Sequence, residues 1–472
     1  MVLIETVSGL RGTKKELIER LIEFTKAYAQ YYREIGEIGI RTIVFGRDTR
    51  PGEVEVLEIV RKIFLNEGFD FIDLGIVPTP TVQLIAQKYK ILGIEGTASH
   101  NPNPDIGFKL FDLGGIITVD RLREIQNLIK NPLPDYTGKK GEILEISDLI
   151  KSESITYEVT ENLALDYHIS RVLDSFDDKT IEAIQKKNYS VVIDHVMGAG
   201  YSVLPKLLKY LNCEMVSVYE GEPGERFPRE FPEPIPKNLL KFEELLKKSN
   251  ADIGFAVDPD VDRLVLGNIN GCLSEEYTLA VAIKYFTEKY ESGIAVTNLS
   301  TSRMGEVIAK KAGWGFYRTA VGERNVLDGI LKKKARIGGE GNGGIIHPEI
   351  APGRDAIYGI VLILACMAET NQSLDSIIKT IPKYCIIIKE KIFLDEGIDI
   401  DKAISKLKPE IYGDGLGRVI NIYDNDGVRI DFERGWIHLR KSNTEPIIRI
   451  IAEADTLELR DYLVEKTRGL LG

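Results

Sequence analysis

Apolar positions along this chain switch repeatedly between two spacings. Leu17, Ile18, Leu21, Ile22, Phe24 and Tyr28 recur every three or four residues, which predicts an amphipathic helix. Thr42-Ile43-Val44-Phe45 then reads as a buried strand ending in Gly46-Arg47-Asp48. A helix over 53–65 and a strand over 69–76 follow, the strand closed by Pro78-Thr79-Pro80. The alternation restarts with a strand over 189–194 that runs into Gly198-Ala199-Gly200 and a helix over 204–211, and again with a strand over 253–257. Repeated β-to-α alternation predicts open α/β layers rather than a barrel or a bundle. Between these units Pro223, Pro228, Pro232, Pro234 and Pro236 exclude regular structure over 221–236, which reads as an ordered loop. The C-terminal part differs: strands over 417–423, 427–432 and 436–440 and a closing helix over 457–471 predict an α+β domain.

At 472 residues the chain exceeds what one hydrophobic core supports, so several domains are expected. A formal charge of −11 argues against nucleic acid as a partner, though local basic pockets for a small anion remain compatible with it. Cys213, Cys272, Cys366 and Cys385 form no Cys-x-x-Cys pair, so neither a zinc ribbon nor a redox couple is expected. The N-terminus reaches Lys14-Lys15-Glu16 without an apolar signal region, and 359–368 is too short to span a bilayer. A cytoplasmic protein without a membrane partner is the expectation.

Four stretches carry chemistry. In Thr97-Ala98-Ser99-His100-Asn101-Pro102, followed by Gly107-Phe108-Lys109, a loop serine with a histidine and a lysine nearby could carry a phosphoryl group, although a Ser/Asn/Pro turn is the plain alternative. Asp258-Pro259-Asp260-Val261-Asp262-Arg263 crowds three carboxylates at alternate positions, which suits a hard cation such as Mg²⁺ or else a solvated loop. Gly338-Gly339-Glu340-Gly341-Asn342-Gly343-Gly344 lacks the Lys-Ser/Thr of a P-loop; Glu340 and Asn342 suit vicinal sugar hydroxyls, and the glycines permit close backbone approach. Arg440-Lys441-Ser442-Asn443-Thr444-Glu445-Pro446, with Arg449 beyond, offers a charged fork and hydroxyl and amide donors for a phosphate, or an exposed polar turn.

Taken in order, these four motifs resemble those of the α-D-phosphohexomutases, and the likeness covers nearly the whole chain. It extends to Ser8-Gly9-Leu10-Arg11-Gly12, to Gly46-Arg47-Asp48-Thr49-Arg50 and to Thr319-Ala320-Val321-Gly322-Glu323-Arg324, the last similar to a specificity loop of the phosphoglucosamine mutase branch. The resemblance implies a four-domain architecture: three related α/β domains and a C-terminal α+β domain around a central cleft. The boundaries expected are 1–153 with the phosphoserine loop, 154–255 ending at the metal loop, 256–374 with the sugar loop, and 375–472 with the phosphate loop. It implies interconversion of hexose 6-phosphate and hexose 1-phosphate through phosphorylated Ser99 and a hexose 1,6-bisphosphate. Asp258, Asp260 and Asp262 would hold Mg²⁺ together with the Ser99 phosphoryl group. Lys109 is the preferred general acid/base with His100 as second candidate, and Arg11 and Arg263 stabilise charge. Glu340 and Asn342 would contact the sugar, and Arg440, Ser442, Asn443, Thr444 and Arg449 the non-reacting phosphate. Glucosamine phosphate is the favoured substrate and a broad-specificity phosphoglucomutase/phosphomannomutase the alternative. A metal-dependent phosphatase would leave Ser99 idle, and a silent sugar-phosphate regulator would have no need of the full set. A homodimer is compatible with this reading. The chain departs from many members at Asn342, where they carry Ser, and at Gly344, where they carry His.

Overall fold

The computed structural model describes residues 4–7, 9–35, 39–113, 115–151, 153–224, 226–382, 386–393, 400–442 and 447–471. They form two compact units, one of residues 1–278 with 342–376, the other of residues 279–341 with 377–472.

The first unit holds two sheets. In the larger, β1 (Ile4–Thr6), β2 (Gly9–Gly12), β3 (Thr42–Arg47), β4 (Asp70–Ile76), β5 (Leu92–Gly96), β6 (Ile106–Asp112), β7 (Gly115–Ile116) and β8 (Ile143–Leu144) lie in the order β1-β2-β6-β5-β3-β4-β8, with β7 paired to β6. Strands β3, β4, β5 and β8 run parallel, whereas β6 returns antiparallel beside β5. The second sheet, of β9 (Ser190–Asp194), β10 (Glu214–Ser217), β11 (Ile253–Val257), β12 (Leu264–Asn268) and β13 (Gly271–Cys272), repeats the plan: β9, β10 and β11 are parallel and β12 returns antiparallel.

The expected helices and strands are present with adjusted ends. The first helix runs Lys14–Glu34, opened by a Thr13–Glu16 capping box, and buries Leu17, Leu21, Phe24 and Tyr28. Gly46 and Arg47 belong to β3 because both pair with β5. Pro78-Thr79-Pro80 does more than close a strand. It opens the helix Thr79–Tyr89, since proline in a first turn forfeits no helical hydrogen bond. The helix Ala356–Thr370 is buried along nearly its whole length, and no single helix among the described residues is long and apolar enough to cross a membrane.

In the second unit, β14 (Ile294–Asn298), β15 (Gly315–Thr319) and β16 (Ile337–Glu340) form a parallel set, while β17 (Gly344–Ile346) belongs to the first unit. Half of the glycine-rich run is therefore strand. A Cβ at Gly338 would lie 2.6 Å from the Val296 carbonyl oxygen, so only glycine permits this packing. The last sheet, of β18 (Ile386–Phe393), β19 (Val419–Tyr423), β20 (Val428–Phe432), β21 (Gly435–Lys441) and β22 (Ile447–Ala454), is antiparallel in the order β18-β22-β21-β20-β19. The helix Leu457–Arg468 packs Leu463 and Val464 into its core, as the α+β pattern predicts.

Candidate functional site

The turn joining β5 to β6 stands at the carboxyl end of the parallel strands, where open α/β sheets gather their ligands. Ser99 in this turn is buried and left-handed, with φ of 52°, a conformation rare for a residue with a Cβ. Its N–H donates to Thr97 Oγ1 at 2.8 Å, and the Thr97 hydroxyl donates to Asp48 Oδ2 at 2.7 Å. Arg50 donates to the carbonyls of Ser99, Asn101 (2.9 Å) and Asp105 (2.9 Å). The Gly46–Arg50 segment is thus a brace that fixes the serine. The Ser99 hydroxyl lies 3.4 Å from Asp258 Oδ2 and 3.4 Å from His100 Nδ1.

Asp258, Asp260 and Asp262 occupy the equivalent turn between β11 and antiparallel β12. Asp258 Oδ1 accepts the N–H groups of Asp262 and Arg263, each at 3.1 Å, which closes the turn. Its floor is Gly198: a Cβ there would lie 2.4 Å from Pro259 Cα, and the neighbouring Ala199 N–H donates to the Pro259 carbonyl at 2.7 Å. All three carboxylates are fully buried, with one oxygen of each within 4.8 Å of the others. Lys109 on β6 bridges Asp260 and Asp262, the latter at 2.9 Å, and Arg354 Nη2 donates to Asp262 at 2.6 Å. Thr79 donates its hydroxyl to Asp260 Oδ2 at 2.8 Å and its N–H to the Asp260 carbonyl at 3.0 Å.

The three groups differ electrically. Burial, then repulsion from Asp262 and Asp260, pushes Asp258 well above the ordinary carboxylate range. Burial also pushes Asp262 upward, but Arg354, Lys109 and Arg263 together hold it well below that range. Asp260 falls below it too, because Lys109 and Thr79 outweigh burial and Asp262. Asp260 Oδ1 and Asp262 Oδ1 are buried yet accept no hydrogen bond. Orphaned oxygens on an all-oxygen donor set, with the Ser99 hydroxyl beside them, fit a hard divalent cation such as Mg²⁺.

Arg263 donates through Nη1 to Glu233 Oε1 at 3.0 Å, and its Nη2 lies 3.0 Å from His100 Nδ1. Beside a guanidinium, Nδ1 of His100 is the accepting nitrogen. Half-buried Arg11, on β2, is held below the usual guanidinium range by desolvation; its electrostatic neighbours include Asp260, Asp262 and Arg263. Asn342, also in the first unit, accepts the Gly344 N–H at 3.1 Å. Gly344 leaves room for Arg354, because a Cβ at this position would lie 2.1 Å from Arg354 Cδ and the arginine would have to shift. The space a histidine would need is taken by the arginine that reaches Asp262.

In the second unit, buried Glu340 ends β16, and its Oε1 accepts from Asn298 Nδ2 at 2.7 Å and from the Gly322 N–H at 3.2 Å. Gly322, with φ of 125°, precedes the helix Glu323–Lys333, and its N–H ties the Thr319–Arg324 stretch to Glu340. Buried Arg440 lies directly opposite Arg449 in the β21–β22 register. Like charges so paired are unfavourable unless an anion joins them. Arg440 Nε donates to both oxygens of Asp426, at 3.2 and 3.1 Å, while its Nη2 is buried without a hydrogen-bond partner. Ser442 is buried and donates its N–H to Ile447 O at 2.9 Å. Asn443 and Thr444 lie outside the described residues, as does Ser8.

Sequence reasoning missed Thr79, Glu233, Arg354 and Asp426, each contributed from a distant segment. Arg354 follows Pro352-Gly353, a signal that marks a turn but not what the arginine reaches. Glu233 belongs to the proline-rich loop, which is ordered enough to seat Arg229 on Asp194 at 2.6 Å.

Family models for phosphoglucomutase/phosphomannomutase match the chain in four consecutive segments: α/β/α domain I over residues 4–134, domain II over 167–271, domain III over 274–384 and the C-terminal domain over 394–469. A phosphoglucomutase/phosphomannomutase of Thermococcus kodakarensis is 33% identical, covering 96% of this chain and 95% of that one. A phosphoglucosamine/phosphogalactosamine mutase of Sulfurisphaera tokodaii is 30% identical over 98% of each. Among solved structures, a phosphoglucomutase/phosphomannomutase family protein of Burkholderia thailandensis shares the fold with a TM-score of 0.81 at 20% identity, over 98% of this chain and 96% of that one. With four domain models matched in order and relatives this close along their whole length, the chain belongs to the phosphoglucomutase/phosphomannomutase family and is a mutase enzyme.

Proposed function

We propose that this mutase interconverts hexose 6-phosphate and hexose 1-phosphate through phosphorylated Ser99, with glucosamine phosphate as its preferred substrate. The observation that carries the reading is the buried Ser99 hydroxyl 3.4 Å from Asp258, beside two aspartates that each have an oxygen without a hydrogen bond. A free sugar hydroxyl attacks the phosphorus on Ser99; the new sugar O–P bond forms as the Ser99 Oγ–P bond breaks, giving the 1,6-bisphosphate. After the intermediate turns over, its other phosphate returns to Ser99. Lys109 is the preferred group to exchange the hydroxyl proton, ahead of His100, whose Nδ1 faces Arg263. Mg²⁺ held by Asp258, Asp260, Asp262 and the phosphoserine would supply neutralisation of charge on the transferring phosphoryl oxygens. Arg263 and Arg11 add to that field. Glu340 and Asn342 hold sugar hydroxyls, and Arg440, Ser442, Asn443, Thr444 and Arg449 hold the distal phosphate. In this reading the chain divides functionally at 153, 255 and 374.

Glucosamine is favoured by Val321-Gly322-Glu323-Arg324 and by the Sulfurisphaera relative's name. The Thermococcus relative favours a broad phosphoglucomutase/phosphomannomutase activity as the second reading. Peptide mapping for phosphoserine, then assays on glucosamine, glucose and mannose phosphates, tests both. Ser99→Ala should nearly abolish transfer, and full activity in that variant, or phosphate carried solely elsewhere, refutes the assignment.

A further inference from the structure

Glu95 has no part in this mechanism, yet it occupies a costly position. It lies on β5 directly opposite Lys109 on β6 and opposite Gly46 on β3. Opposed residues on neighbouring strands share a face, with Cβ atoms about 4.5–5.5 Å apart in an antiparallel pair. The carboxyl rests in a niche over Gly46: a Cβ on that glycine would lie 2.6 Å from Glu95 Oε2 and 2.5 Å from methyls of Val77 and Val82. Glu95 is fully buried, and neither of its oxygens accepts a hydrogen bond. Burial, with Asp260, Asp48 and Glu53 nearby, pushes its carboxyl well above the ordinary range; Lys109 opposes them. An isolated buried carboxyl destabilises a fold, so its neighbour is the place to look for a use.

That neighbour is engaged elsewhere. The Lys109 ammonium sits between Asp260 and Asp262, as a monovalent stand-in among the oxygens that suit a divalent ion. A divalent cation entering there would meet a like charge at close range in a buried site, where repulsion is strong. Lys109 must then leave, and its flexible stem can reach the carboxyl opposite.

We infer that Glu95 is a positioning residue that receives Lys109 when a divalent cation occupies Asp258, Asp260 and Asp262, and thereby sets the metal affinity of the site. The inference rests on the reading of those aspartates as the Mg²⁺ site. Lys109 has two carboxylate addresses, and the metal selects between them. Gly46 is what leaves the second address open.

The test is calorimetric titration of Mg²⁺ into the full chain, with melting temperature read beside it. Glu95→Leu should raise the melting temperature of the metal-free protein, because a lone buried carboxyl is removed. The same variant should bind Mg²⁺ about tenfold more weakly, as expected when the population of the metal-ready arrangement falls about tenfold. Glu95→Gln, whose amide oxygen can still accept from an ammonium, should lose less. In a Lys109→Met background there is no ammonium to displace, so Glu95→Leu should leave Mg²⁺ affinity unchanged. An affinity for Glu95→Leu equal to that of the unaltered protein overturns the inference, as does an equal loss in the Lys109→Met background. If the unaltered protein binds no Mg²⁺, the metal reading itself falls and the inference with it.

Discussion

Arg440→Ala isolates the phosphate clamp. In the structure the guanidinium splits its donors: Nε is committed to Asp426, while Nη2 is buried and without a partner. The free edge is what a substrate phosphate would meet. Loss of one buried charge-assisted contact costs about 2–4 kcal/mol, which is about 30- to 1000-fold in affinity. The fold should tolerate the change, because Asp426 still accepts the Val321 N–H at 2.8 Å and the like-charged pair with Arg449 is relieved. Arg440→Lys should recover little, since a single ammonium cannot serve Asp426 and a phosphate with the geometry of a fork. Titrating hexose 1-phosphate and hexose 6-phosphate into these variants on a Ser99→Ala background measures binding without turnover. Both isomers should weaken together, and the otherwise active Arg440→Ala enzyme should release more bisphosphate. If only one isomer weakens, or both stay within about threefold, Arg440 is not a clamp shared by the two orientations.

Asp260→Asn should lower turnover more than substrate affinity, and chelation should silence the unaltered enzyme, as steady-state kinetics in metal-buffered solution will report; unchanged turnover in metal-free protein refutes the role. Glu306, in the second unit, offers a separate pH test. Burial pushes its carboxyl up, but Arg318 at 3.0 Å and Lys310 at 2.6 Å win and hold it at about 2 against an ordinary 4.5. A lowered folded value means the stabilisation is complete above the unfolded value and drains away between pH 4.5 and 2. Glu306→Gln should therefore cost at most about 3 kcal/mol near neutrality, and denaturant titrations should show that gap closing as pH falls from 5 toward 3; a gap independent of pH contradicts the ion-pair account.

What the sequence revealed divides along a physical line. Ser99 and the Asp258–Asp262 turn stand out because each is a contiguous motif, although the residues alone left a plain turn and a solvated loop open and the family resemblance supplied their expected roles. The C-terminal strands are legible for the same reason: alternation and turn residues are local. Arg354, Glu233 and Thr79 are not, because each reaches the aspartates from another part of the chain and nothing in its own neighbourhood marks the destination. Glu95 was hidden differently. It lies on β5, a strand absent from the sequence-based expectations, and only the register with Lys109 and Gly46 distinguishes it from a surface carboxylate.

Arg354 and Gly344 also bear on consensus engineering. Swapping an unusual residue for the one most relatives carry is a dependable route to stability because most such positions act alone. Position 344 does not act alone. A histidine introduced here would have to evict Arg354 and strip Asp262 of a cation, so this glycine is half of a two-residue arrangement. Any graft between this chain and a relative has to move both residues or neither.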